Sequence, residues 1–280
     1  MFLRKLFSGL SGSGQPHKPY GKEGARAYAI GDVHGCLQLL NQLLQQIEED
    51  LRRKPTERAF LIFLGDLIDR GPDSAGVVER LLRYRHPVLR PVFLAGNHEE
   101  YFLRVLDGER GVLDTWLKYG GNECVASYGL SPDQLLSLPE DQALSLLRSK
   151  VPAEHRRFIE SFGDTFRFGD YLFVHAGIRP GLPLEEQSPS DLRWIREPFL
   201  QDSGDHGFVV VHGHTIFDEV DERLNRVGID TGAYRTGVLT CLVVDWDERY
   251  ILAAPADRAK ASAEVARRSG AGLSEQAARP

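Results

Sequence analysis

Cysteine is scarce and scattered in this chain. Its three cysteines, Cys36, Cys124 and Cys241, are odd in number and none lies in a CxxC pair. That excludes a disulfide framework and thiolate-built metal sites, and it fits a reducing compartment in which small apolar thiols are buried in the core. No apolar run approaches the ~20 residues a membrane helix needs. The opening Met1-Phe2-Leu3-Arg4-Lys5-Leu6-Phe7 is interrupted by two basic residues and runs into a Gly/Ser stretch, so no signal-peptide core forms. A cytoplasmic protein without stable membrane association is expected. An excess of positive charge is missing too. The net charge of −6 gives no general attraction to nucleic acid, so phosphate recognition would need local charges or metals.

With 280 residues, of which 42% are hydrophobic and 26% charged, the chain can bury a substantial core. Residues 1–26, rich in Gly, Ser, Pro and Lys, read as a flexible leader, and residues 255–280 as a disordered tail. Between them one continuous globular domain is expected over residues 27–254.

Within that segment five short apolar runs each end in polar residues beside a glycine. Ala27–Ile30 leads into Gly31-Asp32-Val33-His34-Gly35, and Ala59–Leu64 into Gly65-Asp66. Pro91–Ala95 leads into Gly96-Asn97-His98-Glu99, Tyr171–Val174 into His175-Ala176-Gly177, and Phe208–Val211 into His212-Gly213-His214-Thr215. Runs apolar on both faces and rich in β-branched or aromatic residues read as buried strands. Five strands thus deliver polar groups at their carboxyl ends, where α/β folds place their sites. Leu37, Leu40, Leu43, Leu44 and Ile47 recur at helical spacing, as do Val77, Val78, Leu81 and Leu82. The opening is therefore β-α-β-α-β. Residues 100–160 read as helix-rich, and 226–230 and 238–244 as closing strands.

Carboxylate, imidazole and amide oxygen suit a divalent transition metal better than a Mg or Ca site. Asp32, His34, Asp66, Asn97, His175 and His214 exceed the needs of one tetrahedral ion, whereas two ions bridged by a carboxylate and a hydroxide would use them all. Taken singly, an Asp at a strand end more often caps the next helix. The weight lies in the joint pattern.

Gly31-Asp32-Val33-His34-Gly35, Gly65-Asp66-Leu67-Ile68-Asp69-Arg70-Gly71 and Gly96-Asn97-His98-Glu99 resemble, in order and spacing, the signature motifs of the metallophosphoesterase superfamily. The GD-x-x-DRG and GNHE forms most resemble its phosphoprotein-phosphatase branch, the serine/threonine phosphatases and their bacterial relatives. Val174-His175-Ala176-Gly177 and Gly213-His214-Thr215 resemble the later histidine motifs. The resemblance spans about residues 27 to 250. It implies an α/β fold with a central sandwich of two mixed sheets flanked by helices, the metals sitting at strand carboxyl ends.

It further implies two divalent ions, Mn first and Fe, Zn or Ni as alternatives. Asp32 and His34 would hold one ion, Asp66 would bridge, and Asn97, His175 and His214 would complete the second. A metal-bridging hydroxide would attack phosphorus in line. His98 would be the general acid and Asp69 its orienting carboxylate, although a plain Asp69–Arg70 salt bridge is an alternative reading of that pair. Arg70 would hold phosphoryl oxygens, with Arg196 as its second and Arg193 or Arg179 as rivals. His212 reads as supporting or structural. Tyr234 reads equally as a rim residue or a turn aromatic, and Trp116, Tyr119 and Tyr128 read as packing. The implied substrate is a phosphoprotein or small phosphoester, a serine/threonine phosphatase reading. Dinucleoside polyphosphate hydrolysis is the alternative, since Glu99, Glu100 and the intact Asp69-Arg70 pair favour the former without excluding the latter.

Overall fold

The computed structural model describes residues 18–255. The rest of the expected leader and tail, 1–17 and 256–280, lie outside the described residues. Among the described residues, ten strands form two five-stranded mixed sheets. In the first, β1 (Ala25–Ile30), β2 (Arg58–Phe63) and β3 (Leu89–Phe93) run parallel, and β9 (Leu239–Asp245) and β10 (Glu248–Ala254) add on antiparallel, in the order β10-β9-β1-β2-β3. In the second, β5 (Tyr171–Val174), β6 (Val209–His212) and β8 (Arg226–Gly228) are parallel. Its antiparallel edges are β4 (Thr165–Phe168) and β7 (Asp221–Glu222), in the order β4-β5-β6-β8-β7.

Alternation along each strand builds the layers. Ala25, Ala27 and Ala29 of β1, with Ile62 and Leu64, face Phe173, Val209, Val211 and Val227 between the sheets. Tyr28, Ile30, Leu61 and Phe63 point the other way, onto the helices. There α1 (Leu37–Arg53) buries Leu40, Leu43, Leu44, Ile47 and Leu51, and α2 (Ser74–Leu82) buries Val77, Val78 and Leu81. The outer face of the second sheet, Leu172, Val174 and Val210, packs on Leu192, Ile195 and Phe199. All three cysteines are buried and unpaired. The central strands β1, β5, β6 and β9 are apolar on both faces because each face has a layer to meet.

The helical stretch comprises α3 (Asn97–Asp107), α4 (Val112–Trp116), α5 (Asn122–Ser127), α6 (Pro132–Leu136), α7 (Glu140–Lys150) and α8 (Ala153–Glu160). A widened, kinked turn, Leu117–Gly121, joins α4 to α5. The excursion leaves from the end of β3 and returns to it: Gly163 N–H donates to the Phe93 carbonyl at 3.0 Å, and Ala95 N–H to that of Gly163 at 2.7 Å. Two short helices follow later in the chain, α9 (Pro189–Trp194) and α10 (Ala233–Thr236).

Strands β4, β7 and β10 and an ordered part of the leader were not expected from the sequence. β10 is a full seven-residue strand whose half-buried, interrupted pattern hides it. Part of the expected leader is structured: β1 begins at Ala25, Gly21 N–H donates to the Trp246 carbonyl at 2.7 Å, and Tyr20 N–H to Asp170 at 2.9 Å. Among the described residues no helix is long and apolar enough to cross a membrane.

Candidate metal centre and phosphate site

The parallel strands of both sheets deliver their carboxyl ends to one region, where the peptide direction reverses. Among the described residues six that are not glycine have positive φ, and five of them are site residues expected from the sequence: His34, Asp66, Asp69, Arg70 and His214. Such conformations cost on the order of 1 kcal/mol or more each, and they persist where the surroundings impose them.

Asp66 is the hub. Its carboxylate lies 3.4 Å from His175 Nε2, 3.6 Å from His34 Nε2 and 3.9 Å from His98 Nε2. Its turn is pinned by Glu99, whose buried carboxylate accepts from the backbone N–H of Asp66 (2.8 Å), Leu67 (2.8 Å) and Gly96 (2.9 Å). Gly96 must lack a side chain, because a Cβ there would collide with Asp66 Oδ1. Burial pushes the Glu99 carboxyl up to about 7, while those three donors favour its ionised form.

Two donor groups form around Asp66, one with His34 and His98 and one with His175 and His214, their ligand atoms all within 4.8 Å of one another. The tautomers follow from the bonding. His34 Nδ1 meets the Ile68 carbonyl at 2.8 Å and His175 Nδ1 that of Leu64 at 2.8 Å, so each Nδ1 carries the proton and each Nε2 a lone pair. Asn97 Oδ1 lies 3.0 Å from His175 Nε2 and 2.8 Å from His214 Nδ1. Asp32 belongs to neither group; its carboxylate accepts from His214 N–H at 3.1 Å.

Burial works against the charge of Asp66, but His175, His98, His34 and His214 outweigh it and hold the carboxyl well below its usual range. Burial drives His34 down to about 3 and, with His175 adding to it, His214 to about 2; His175 is lowered by burial as well. Neutral imidazoles are what metal coordination requires. Burial also lifts Asp32, helped by Asp230 and Asp66. Asp230 is a buried carboxyl that sequence reasoning passed over. Its Oδ1 accepts from Gly232 N–H at 2.8 Å, and nothing local sets it apart from an ordinary turn aspartate.

A divalent ion fits this donor set. His214 Nε2 is buried with no hydrogen-bond partner, and a carboxylate and two imidazoles converge in each group. Neutral nitrogen and anionic oxygen together match Mn, Fe, Zn or Ni.

His98 behaves differently from the other histidines. Burial disfavours its charged form, but Asp66 and Asp69 outweigh that and raise it above its usual value. His98 Nδ1 lies 2.7 Å from Asp69 Oδ2. Asp69 is thus engaged with His98 and makes no salt bridge to Arg70. Arg70 instead sets its guanidinium over the Tyr234 ring at 5.2 Å and places Nη1 3.2 Å from His34 Nε2. Tyr234 is 37% exposed and sits edge-on to His34, at the rim of the site.

The arginine rivals separate on their partners. Arg179 is paired with Asp191, and Arg193 with Asp164 and Glu100. Arg196 is exposed, makes no side-chain hydrogen bond or ion pair among the described residues, and is near enough for its charge to lower His214. His212 joins neither donor group; it is buried edge-on to Phe199, with Nδ1 3.1 Å from the Gly213 carbonyl. Tyr128 stacks on Phe102 and Trp116 is fully buried, whereas Tyr119 is exposed.

The family model for calcineurin-like phosphoesterases matches residues 25–236, from the first strand through α10. The chain belongs to the calcineurin-like phosphoesterase family. Among its relatives, serine/threonine-protein phosphatase 2 of Escherichia coli (strain K12) is 30% identical over 246 residues, covering 80% of this chain and 97% of that protein. The symmetrical bis(5'-nucleosyl)-tetraphosphatase of Acidovorax sp. (strain JS42) is 33% identical over 159 residues, covering 57% of this chain but only 46% of that protein. The crystal structure of a mutant cold-active protein tyrosine phosphatase shares the fold, with a TM-score of 0.54 at 16% identity over 81% of this chain and 77% of that one. This phosphoesterase is therefore a hydrolase built on the two-sheet fold that its strand-end motifs imply.

Proposed function

We propose that this phosphoesterase is a serine/threonine protein phosphatase of the metal-dependent phosphomonoester class, holding two divalent ions, with manganese the first choice. The observation that carries the reading is the membership of Asp66 in both donor groups. A carboxylate with neutral His34 on one side and neutral His175 and His214 on the other suits a bridged ion pair. Asp32 and His34 would serve one ion, and Asn97, His175 and His214 the other. When bound, the ions acidify a water to give the nucleophile and neutralise phosphoryl charge.

The chain's own residues supply the rest. Arg70, propped on Tyr234, and the uncommitted Arg196 present guanidinium forks to the equatorial phosphoryl oxygens. His98, kept protonated by Asp69, donates its Nε2 proton to the departing alkoxide oxygen. Seryl and threonyl oxygens are poor leaving groups, so that proton matters most for them. The near end-to-end coverage of the E. coli phosphatase supports the protein-phosphatase reading, and the buried free cysteines fit a reducing cytoplasm. Dinucleoside polyphosphate hydrolysis is the second reading. It is favoured by the 33% identity to the tetraphosphatase over the motif-bearing part of the chain.

The deciding experiment compares manganese-loaded protein on phosphoserine and phosphothreonine peptides and on diadenosine tetraphosphate. A kcat/KM at least about tenfold higher on the peptides, a preference of ~1.4 kcal/mol, is expected. The reverse preference would replace the proposed reading with the second.

A further inference from the structure

The buried Asp69 carboxylate is held from an unexpected direction. Asp69 Oδ2 accepts two hydrogen bonds, from His98 Nδ1 at 2.7 Å and from the indole Nε1–H of Trp116 at 2.8 Å. Its other oxygen, Oδ1, is buried without a hydrogen-bond partner, and the residue is fully shielded from solvent. Without the indole, the bond to His98 would be the one short hydrogen bond left on the carboxylate, with the buried Cys124 thiol its other polar neighbour. A single bond to one oxygen leaves rotation about the side-chain torsion open, and His98 would be free to turn with it.

The segment around Trp116 is shaped for this contact. Trp116 ends α4 and enters the turn Leu117–Gly121, whose Tyr119 and Gly120 depart from helical geometry. Gly121 packs flat against the indole, where a Cβ would lie 2.5 Å from Trp116 Cδ2. Gly120, at φ +114°, accepts from Arg70 N–H at 2.9 Å, and a Cβ there would lie 2.5 Å from Arg70 Cγ. One turn of the helical excursion thus touches both Asp69 and the neighbouring Arg70.

We infer that Trp116 is a positioning residue for proton donation: its indole N–H fixes the Asp69 carboxylate, and through it the Nε2 of His98, toward the leaving-group oxygen. The inference rests on the general-acid reading of His98 given above. Hydrogen bonds to charged groups in a dry interior are the strong ones, so loss of one donor changes alignment without emptying the site.

The test uses the zinc- or manganese-loaded enzyme and the variants W116F, H98N and L113A, Leu113 being a buried apolar α4 residue whose side chain has no group to donate to Asp69. On alkyl phosphates W116F should lower kcat about tenfold, the size of one charge-assisted bond. On p-nitrophenyl phosphate, whose leaving group needs little protonation, the loss should stay under about twofold. L113A should lower thermal stability with no such contrast. In proton–nitrogen spectra of the zinc-loaded protein, the indole signal that W116F deletes from the three tryptophans should shift in D69N while the other two stay.

Failure of H98N to show the leaving-group contrast would overturn the acid reading and this inference with it. The contrast in H98N but not in W116F, or an unmoved indole signal in D69N, would overturn the inference alone. Should W116F not fold, site-specific benzothienylalanine at 116 removes the N–H while keeping the ring shape, and the same outcomes apply.

Discussion

The two sheets furnish the site by different means. The first sends Asp32, His34, Asp66, Asp69, Arg70, Asn97 and His98 from the ends of three adjacent parallel strands, and four of these sit at positive φ. The second sends His175 and His214 from β5 and β6, with only His214 at positive φ. The carboxylate common to both donor groups belongs to the first sheet, and the imidazoles that complete the second group belong to the other. Damage to the first sheet's turns should therefore disable the whole centre, and damage to the second should remove half of it.

The sharpest way to break that asymmetry is to compare D66N with H175A. D66N should lower kcat by about 10³-fold or more, since metal-assisted chemistry supplies several kcal/mol, and should abolish binding of both ions. H175A should cost less activity and reduce bound metal from two equivalents toward one by elemental analysis. Equal loss of both ions in the two variants would show that the groups are not separable. Next in size, R196A should reduce kcat/KM about 10- to 100-fold, the worth of a charge-assisted contact to phosphate, while R179A changes it less than about twofold because that guanidinium is committed to Asp191. Similar losses in the two would reject Arg196 as the second phosphate-holding group. The smallest effect is expected from G120A. A side chain at φ +114° against Arg70 should destabilise the fold by about 1–3 kcal/mol and lower the melting temperature by several degrees, with a modest rise in KM as Arg70 shifts.

What the sequence revealed follows from how local each signal is. A strand that ends in Gly-Asp or Gly-Asn-His announces itself within six residues, so all six proposed ligands and the His98–Asp69 pair could be read, as could the five strands behind them. Glu99 stood in plain view, yet its grip on three backbone N–H groups needs the ends of β2 and β3 side by side. Trp116 was read as packing, which its burial bears out, but its bond to Asp69 spans 47 positions and no periodicity marks it. Tyr234 could not be assigned until Arg70 and His34 were seen beside its ring. β10 escaped because an edge strand with one face only half covered lacks the apolar run that marks a buried one.

The return of the helical excursion to β3 has an evolutionary reading. Because Gly163 closes onto Phe93 and Ala95, everything between Gly96 and Phe162 starts and ends at nearly one point. Lengthening such a closed insertion costs loop-closure entropy that rises only logarithmically, about 0.6 kcal/mol per doubling. Descendants of this chain could therefore exchange the stretch after α5 for one of another length while the two sheets and the turn at Trp116 stayed as they are.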